Sequence, residues 1–214
     1  MVRIDSSLPN FDLERSAFAR GFARVAGIDE AGRGPWAGPV VAAAVILNPE
    51  ALPQGINDSK KLTHARREEL YDIILAGAEV GIGIIDVAVI DRDNILQATY
   101  AAMIQAVSAL ASAPLLALVD GNRAPKLTCP AETVIEGDGK CLSIAAASII
   151  AKVTRDRMMI DLDRQCPGYG FAKHKGYGTA DHQEALSRLG PSAHHRRSFE
   201  PIRILFETAT ARVA

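Results

Sequence analysis

Every position from 40 to 47 is apolar (Val-Val-Ala-Ala-Ala-Val-Ile-Leu), the pattern of a strand buried on both faces. A shorter apolar run at 25–28 predicts a strand before it. Pro49, Pro53 and Gly55 mark a loop ending in Asp58-Ser59-Lys60-Lys61. Thr63 then has the chemistry of an N-cap for a helix to about residue 76, with Arg66, Arg67, Glu68 and Glu69 on its wet side. Residues 80–85 read as a third strand, although Gly81 and Gly83 count against it. From 94 to 110 the apolar residues Ile95, Leu96, Ala98, Ala102, Met103, Ala106, Val107 and Leu110 recur at helical spacing. A fourth strand follows at 115–119 with Asp120 at its exit, and a short fifth at 133–135. The segment 142–162 predicts a long helix whose alanine-rich first turns can pack closely on a sheet. Past residue 164, Gly, His and basic residues dominate, with helical pieces at 180–189 and near the end. No internal repeat or low-complexity segment interrupts this order, which fits an α/β fold with a mixed sheet flanked by helices.

Length and composition narrow the class. The 214 residues are expected to form a single domain, with about 1–22 as an N-terminal extension and about 164–214 as a basic, helical C-terminal subdomain. Apolar residues at 48% and charged residues at 23% argue against disorder. No apolar run reaches membrane-spanning length and residues 1–20 lack signal-peptide form, so a cytoplasmic protein without membrane contact is expected. Cys129, Cys141 and Cys166 make no C-x-x-C pair, so reduced thiols without chemistry are expected and a zinc site is not. Net charge is −1, yet residues 164–203 hold seven Lys/Arg against three Asp/Glu, 7 − 3 = +4, and four of the five histidines. An acidic half joined to a basic one suits a metal-dependent enzyme acting on a polyanion; a solvated helical face accounts for the charge equally well.

The chemistry concentrates on carboxylates. Asp29 and Glu30 are adjacent at the end of the first strand, just before Gly32-Arg33-Gly34. Neighbouring carboxylates in a half-buried strand repel, so a strand that keeps both calls for a cation, and hard oxygen donors suit Mg²⁺ or Mn²⁺. The glycines leave backbone N–H groups open to close approach by a ligand. Asp120 before Gly121-Asn122 and Asp138 between Gly137 and Gly139 have the ordinary reading of turn formers. Strands of one sheet bring their exits together, however, which places these carboxylates near Asp29 and Glu30. The stretch Gly32 to Ala37 also fits G-x-G-x-x-A, but Pro35 and Pro39 lead into a strand rather than a helix, which excludes dinucleotide binding. Tyr177, between Gly176 and Gly178, is exposed enough on this pattern to stack on a sugar or base, the alternative being a core tyrosine. Lys60, Lys61, Lys152, Arg155, Lys173 and Lys175 are candidate phosphate contacts, each with a solvated-surface alternative. His174, His182, His194 and His195 lack metal-ligand spacing and read as phosphate-contacting or structural.

Several blocks together resemble bacterial ribonuclease HII, of the type 2 ribonuclease H family. They are Gly27-Ile28-Asp29-Glu30-Ala31-Gly32-Arg33-Gly34 with Ala37-Gly38-Pro39-Val40-Val41, Asp58-Ser59-Lys60-Lys61-Leu62, Val119-Asp120-Gly121-Asn122 and Glu136-Gly137-Asp138. The run from Ser143 to Asp156, His174-Lys175-Gly176-Tyr177-Gly178-Thr179 and His195-Arg196-Arg197-Ser198-Phe199 complete the series, in the family's order over nearly the whole chain. The resemblance implies a ribonuclease H-like fold with a small helical C-terminal subdomain. It implies an endonuclease that hydrolyses the RNA strand of RNA–DNA hybrids and nicks duplex DNA 5′ of embedded ribonucleotides, leaving 3′-hydroxyl and 5′-phosphate ends, in ribonucleotide excision repair and DNA replication. Asp29, Glu30, Asp120 and Asp138 match the catalytic, metal-binding carboxylates of a two-ion Mn²⁺ or Mg²⁺ mechanism. Gly32, Arg33 and Gly34 would contact the ribonucleotide 2′-hydroxyl, and Tyr177 would pack on the next nucleotide. Ribonuclease HIII, the sister family, has lysine in the Gly-x-Gly turn where this chain has Arg33. Two alternatives stay open: an inactive hybrid-binding module, which leaves the intact carboxylates unexplained, and a DNA strand-transfer enzyme of the same fold, which leaves the turn and Tyr177 unexplained. A monomer is expected, and Phe206-Glu207-Thr208-Ala209 shows no clear sliding-clamp motif.

Overall fold

The computed structural model describes residues 8–211, with side chains to residue 207. The all-apolar run forms β2 (Val40–Leu47), antiparallel to both β1 (Val25–Ala31) and β3 (Ala78–Ile85). On its other side β1 runs parallel to β4 (Leu116–Asp120), which runs parallel to β5 (Ala131–Val134). The sheet order is β3-β2-β1-β4-β5, the mixed sheet that the pattern predicts. Because β1 and β4 point the same way, the carboxylates at their exits share one end of the sheet.

Helices cover both faces. One face of the sheet (Ala26, Ile28, Ala42, Ala44, Ala117, Val119) buries against α3 (Val87–Ser108). The opposite side chains of β2, Val41, Ala43 and Val45, bury against α2 (His64–Gly77) and α4 (Leu142–Gln165). Burial on both faces is why β2 lacks the polar alternation of a half-exposed strand. Close approach explains three glycines. A Cβ on Gly27 would lie 2.1 Å from the Ser143 carbonyl carbon at the start of α4. On Gly81 and Gly83 it would lie 2.0 Å from the carbonyl oxygens of Ala106 and Ala102. The two glycines that count against β3 from sequence are therefore what lets α3 lie on it.

A short helical stretch precedes the helix expected from residue 94; it begins at Val87, where the Asp86 carboxylate accepts the Val89 N–H at 3.1 Å. Asn94 leaves the helical conformation (φ 68°, ψ 164°), and its side chain accepts from Leu96 N and Gln97 N. The periodicity therefore marks the restart after this kink rather than the first turn.

Within the segment expected to be an extension lies α1 (Asp12–Ala19), too short for periodicity to reveal. Its Glu14 is buried, and one carboxylate oxygen accepts Ser143 N–H at 2.8 Å and the Cys141 thiol at 3.1 Å. The N-cap of α4, Cys141, makes no capping bond through its own side chain. Glu14 thus caps from a distance the helix that covers the sheet, with its negative charge at the helix N-terminus.

After α4 come α5 (Phe171–His174), α6 (Ala180–Leu189) and α7 (Glu200–Ala211). They pack a small core of Phe171, Leu186 and Ile202 against Met159 and Leu162 of α4. The basic excess of this region is largely engaged internally. Lys173 pairs with Asp181, Arg164 with Asp161, and Arg203 with Glu200 and Glu207. Arg188 bonds the Gly168 carbonyl, and Arg196 is fully buried. Among the described residues no helix is long and apolar enough to cross a membrane.

Replacing Glu14 with Ala leaves a buried N–H of α4 without its acceptor, and is expected to cost about 1–3 kcal/mol of stability. Glu14→Gln, which keeps an acceptor oxygen, should cost less. Urea unfolding of the three proteins measures this; equal midpoints would show that the contact carries no capping energy.

Candidate active site

Asp29 and Glu30 end β1, Asp120 ends β4, and Asp138 sits in a single 3-10 turn (Gly137–Gly139) between β5 and α4. One carboxylate oxygen from each of Asp29, Asp120 and Asp138 lies within 4.8 Å of the other two. The Asp120 carboxylate accepts Gly137 N–H at 2.7 Å, which fixes the turn bearing Asp138 to the exit of β4. Glu30 stands apart from this trio. It nevertheless lines the same cleft as Asp29 and Asp120, with its carboxylate 3.4 Å from the Arg33 guanidinium. The cleft, of about 330 Å³, is also lined by Lys60, Lys152, Ser148 and Tyr177.

The electrostatics are those of negative charge held against its preference. Burial, then the charges of Glu30 and Asp120, push the Asp29 carboxyl well above the usual range. Burial also raises Glu30 and Asp120, with the Asp138 charge adding to the effect on Asp120. Burial works against the charge on Lys60, but its 2.9 Å bond to Asp138 and the carboxylates around it outweigh this and raise its pKa. Three converging hard-oxygen donors beside few cations fit a divalent ion such as Mg²⁺ or Mn²⁺.

The loop after β1 forms one wall. Gly32 has φ +98°, and a Cβ there would meet the Arg155 side chain at 2.1 Å. Arg196 reaches into the loop and donates to the carbonyls of Gly32 (2.6 Å), Arg33 (3.0 Å) and Gly38 (2.8 Å). Tyr177 stands opposite, 46% exposed, and a methyl on Gly34 would sit 3.7 Å from its ring. Turn, ring and carboxylates therefore face one space.

A family profile described as Ribonuclease HII matches residues 26–202. The ribonuclease HII of Azorhizobium caulinodans is 58% identical over 203 residues, covering 93% of this chain and 78% of that one. The chain belongs to the ribonuclease HII family. The ribonuclease HII of Cereibacter sphaeroides is 52% identical over 209 residues, 97% of this chain and 99% of that one. Among solved structures, the ribonuclease H2 of Pyrococcus horikoshii matches with a TM-score of 0.72 at 27% identity, covering 86% of this chain and 98% of that one. The sheet and its flanking helices are thus those of the ribonuclease H-like fold, and the chain is a metal-dependent endoribonuclease of this family.

The basic residues expected at phosphates divide by position. Lys60 and Lys152 line the cleft, as does Arg33 of the turn expected at the 2′-hydroxyl, while Lys61 is exposed outside it. Lys173 is held by Asp181, and the Lys175 ammonium bonds the Ala172 carbonyl. Arg155 also borders the cleft, but it is 1% exposed and its guanidinium bonds the Pro39, Lys175 and Ala37 carbonyls, so it serves the loops rather than a phosphate as expected. Sequence reasoning assigned no role to Arg196, which resembles any basic residue of a polar tail. It also passed over the Ser59 and Ser148 hydroxyls, paired at 2.7 Å beside Asp29. Neutral hydroxyls carry no pattern of their own.

Three histidines form a buried cluster beneath Tyr177, with the rings of His174 and His182 stacked at 4.3 Å. Ser192 N–H donates to His195 Nδ1 at 2.9 Å, so the neutral His195 proton is on Nε2, 3.0 Å from His182 Nε2. His182 must then carry its proton on Nδ1, which donates to the Tyr177 carbonyl at 2.9 Å. These histidines are structural and hold the backbone of the Tyr177 loop.

Burial, then His182, push His195 down to about 4, and burial lowers His182 as well. Unfolded histidine titrates near 6.5, so below that pH the unfolded chain takes up protons that the fold refuses. The stability present above about pH 6.5 is therefore lost as pH falls toward 4, on the order of 2 kcal/mol by pH 4.5. The raised carboxylates act in the opposite sense, so His195→Gln serves as the reference: its stability should fall less steeply between pH 7 and 4.5. Parallel pH profiles of denaturant unfolding would contradict the neutral relay.

Proposed function

We propose that this chain hydrolyses the RNA strand of RNA–DNA hybrids and nicks duplex DNA on the 5′ side of embedded ribonucleotides. The observation that carries this reading is the convergence of Asp29, Asp120 and Asp138, the first two lining a cleft walled by the Gly32-Arg33-Gly34 turn and Tyr177. Asp29, Asp120 and Asp138 would hold the ions, with Glu30 completing the set from the cleft wall. Bound Mn²⁺ or Mg²⁺ supplies Lewis-acid activation of the attacking water and stabilisation of charge on the leaving oxygen. Water adds to phosphorus as the bond to the 3′-oxygen breaks, giving a 5′-phosphate and a 3′-hydroxyl.

The remaining residues orient the strand. Arg196 already engages the carbonyls of the turn, which favours its N–H groups as contacts to a 2′-hydroxyl, the group that separates RNA from DNA. The half-exposed Tyr177 ring lies beside that turn and suits packing on the next sugar. Lys60 and Lys152 in the cleft, with Arg33, suit the flanking phosphates. Lys61, Lys173 and Lys175 lie outside its lining and would at most meet more distant parts of a duplex. A single-domain, monomeric organisation and a cytoplasmic location complete the proposal.

Asp120→Asn removes one charge from a cluster of like charges whose burial already disfavours ionisation. Thermal stability should be unchanged or slightly higher, while Mn²⁺ affinity and turnover fall, turnover by more than about 100-fold. Calorimetric Mn²⁺ titration and hydrolysis of a hybrid duplex across metal concentrations measure both. An Asp120→Asn protein with near wild-type turnover sinks the assignment.

A further inference from the structure

Arg155 lies on the face of α4 that also carries Ser148 and Lys152 into the cleft, one to two turns further along. Its guanidinium is buried and bonds two different loops at once. Nε donates to the Pro39 carbonyl at 2.9 Å and one terminal nitrogen to Ala37 at 3.1 Å, both in the loop that begins with Gly32-Arg33-Gly34. The other terminal nitrogen donates to the Lys175 carbonyl at 3.0 Å, two residues before Tyr177. Lys175 holds a left-handed backbone (φ 52°), uncommon for a residue with a Cβ. Its carbonyl is the one that Arg155 takes.

The same two loops meet again beside this bond. Trp36 N–H donates to Gly176 O at 2.8 Å, and a Cβ on Gly178 would strike the Trp36 ring at 2.1 Å. A planar fork with several donors can span both loops, whereas a single ammonium cannot. Arg155 borders the cleft, yet its guanidinium donates to loop carbonyls rather than to the carboxylates.

We propose that Arg155 is a positioning residue for junction selectivity. By tying the turn that meets a ribose 2′-hydroxyl to the ring that packs on the following sugar, it makes two adjacent sugars be read as one unit. This rests on the roles given above to the turn and to Tyr177. It extends them by making their spacing, and not only their presence, the basis of discrimination between a lone ribonucleotide in DNA and a continuous RNA strand.

The experiment is a double-mutant cycle of Arg155→Lys and Tyr177→Ala. The readout is the ratio of kcat/KM on a duplex with one ribonucleotide to kcat/KM on an RNA–DNA hybrid, with melting temperature and Mn²⁺ affinity alongside. Tyr177→Ala alone should lower the ratio by about tenfold, as loss of a stacking contact does. Arg155→Lys alone should lower it by a comparable factor with Mn²⁺ affinity unchanged. In the Arg155→Lys background Tyr177→Ala should add less than about twofold, because the ring is already out of register. If Arg155→Lys does not fold, Gly178→Ala takes its place: it forces a methyl against Trp36, opens the same joint and carries the same expectation.

An unchanged ratio in a folded Arg155→Lys or Gly178→Ala protein overturns the proposal, as do losses that simply multiply. If Tyr177→Ala itself leaves the ratio unchanged, the reading of Tyr177 falls and takes this proposal with it. A ratio that depends on Tyr177 but multiplies independently with Arg155 removes the proposal alone.

Discussion

Mutual repulsion of carboxylates is the constraint to which the rest of this structure answers. Three oxygens within 4.8 Å of one another oppose folding, and burial deepens the opposition by raising Asp29 and Asp120. The sheet overrides it through geometry. Parallel pairing of β1 with β4 brings their exits side by side, and the Asp120–Gly137 bond carries Asp138 to the same point. Lys60 neutralises part of the charge through Asp138, and a divalent cation is the natural remainder. Rigidity elsewhere serves this convergence: α4 lies close on β1 because Gly27 has no side chain, and Glu14 caps its start.

Two buried guanidiniums solve a second problem, that of giving a glycine-containing loop one conformation. Burial lowers Arg155 to about 10 and Arg196 to about 9, the charge of Arg155 adding to the latter effect. Both stay charged at neutral pH, and their donors are satisfied by carbonyls rather than by carboxylates. A carbonyl-lined cation is costly to assemble, yet it leaves the nearby acidic site with its own charge undiluted. The neutral histidine relay holds the facing loop in a similar way, through the Tyr177 carbonyl.

The sheet was largely legible because its signals are local: an unbroken apolar run for β2, a cap at Thr63, and helical spacing from residue 95. The approach of Asp29 to Asp120 follows from strand exits sharing one sheet and could be read before any coordinate; Asp138 arrives through the turn that the Asp120–Gly137 bond holds, and Glu30, expected with them, is not one of the close trio. What escaped was non-local. Glu14 acts on a helix 129 residues away, and Arg196 on a loop more than 150 residues before it, so neither leaves a mark among its neighbours in sequence. Arg155 misled for the same reason, since a basic residue near a nuclease site suggests phosphate until its burial is seen. The positive tally of residues 164–203 overstated the available charge because composition does not show pairing.

A cleft that reads a ribose and cuts beside it by metal-dependent hydrolysis must depend on both the 2′-hydroxyl and the metal. The most direct measurement places the wild-type protein on a DNA duplex holding one ribonucleotide, on the same duplex with a deoxyribonucleotide there, and on both with Mg²⁺ replaced by a chelator. A single nick on the 5′ side of the ribonucleotide, with 3′-hydroxyl and 5′-phosphate ends, is expected only with the metal. Cleavage of the all-DNA duplex, or undiminished nicking in the chelator, would contradict it.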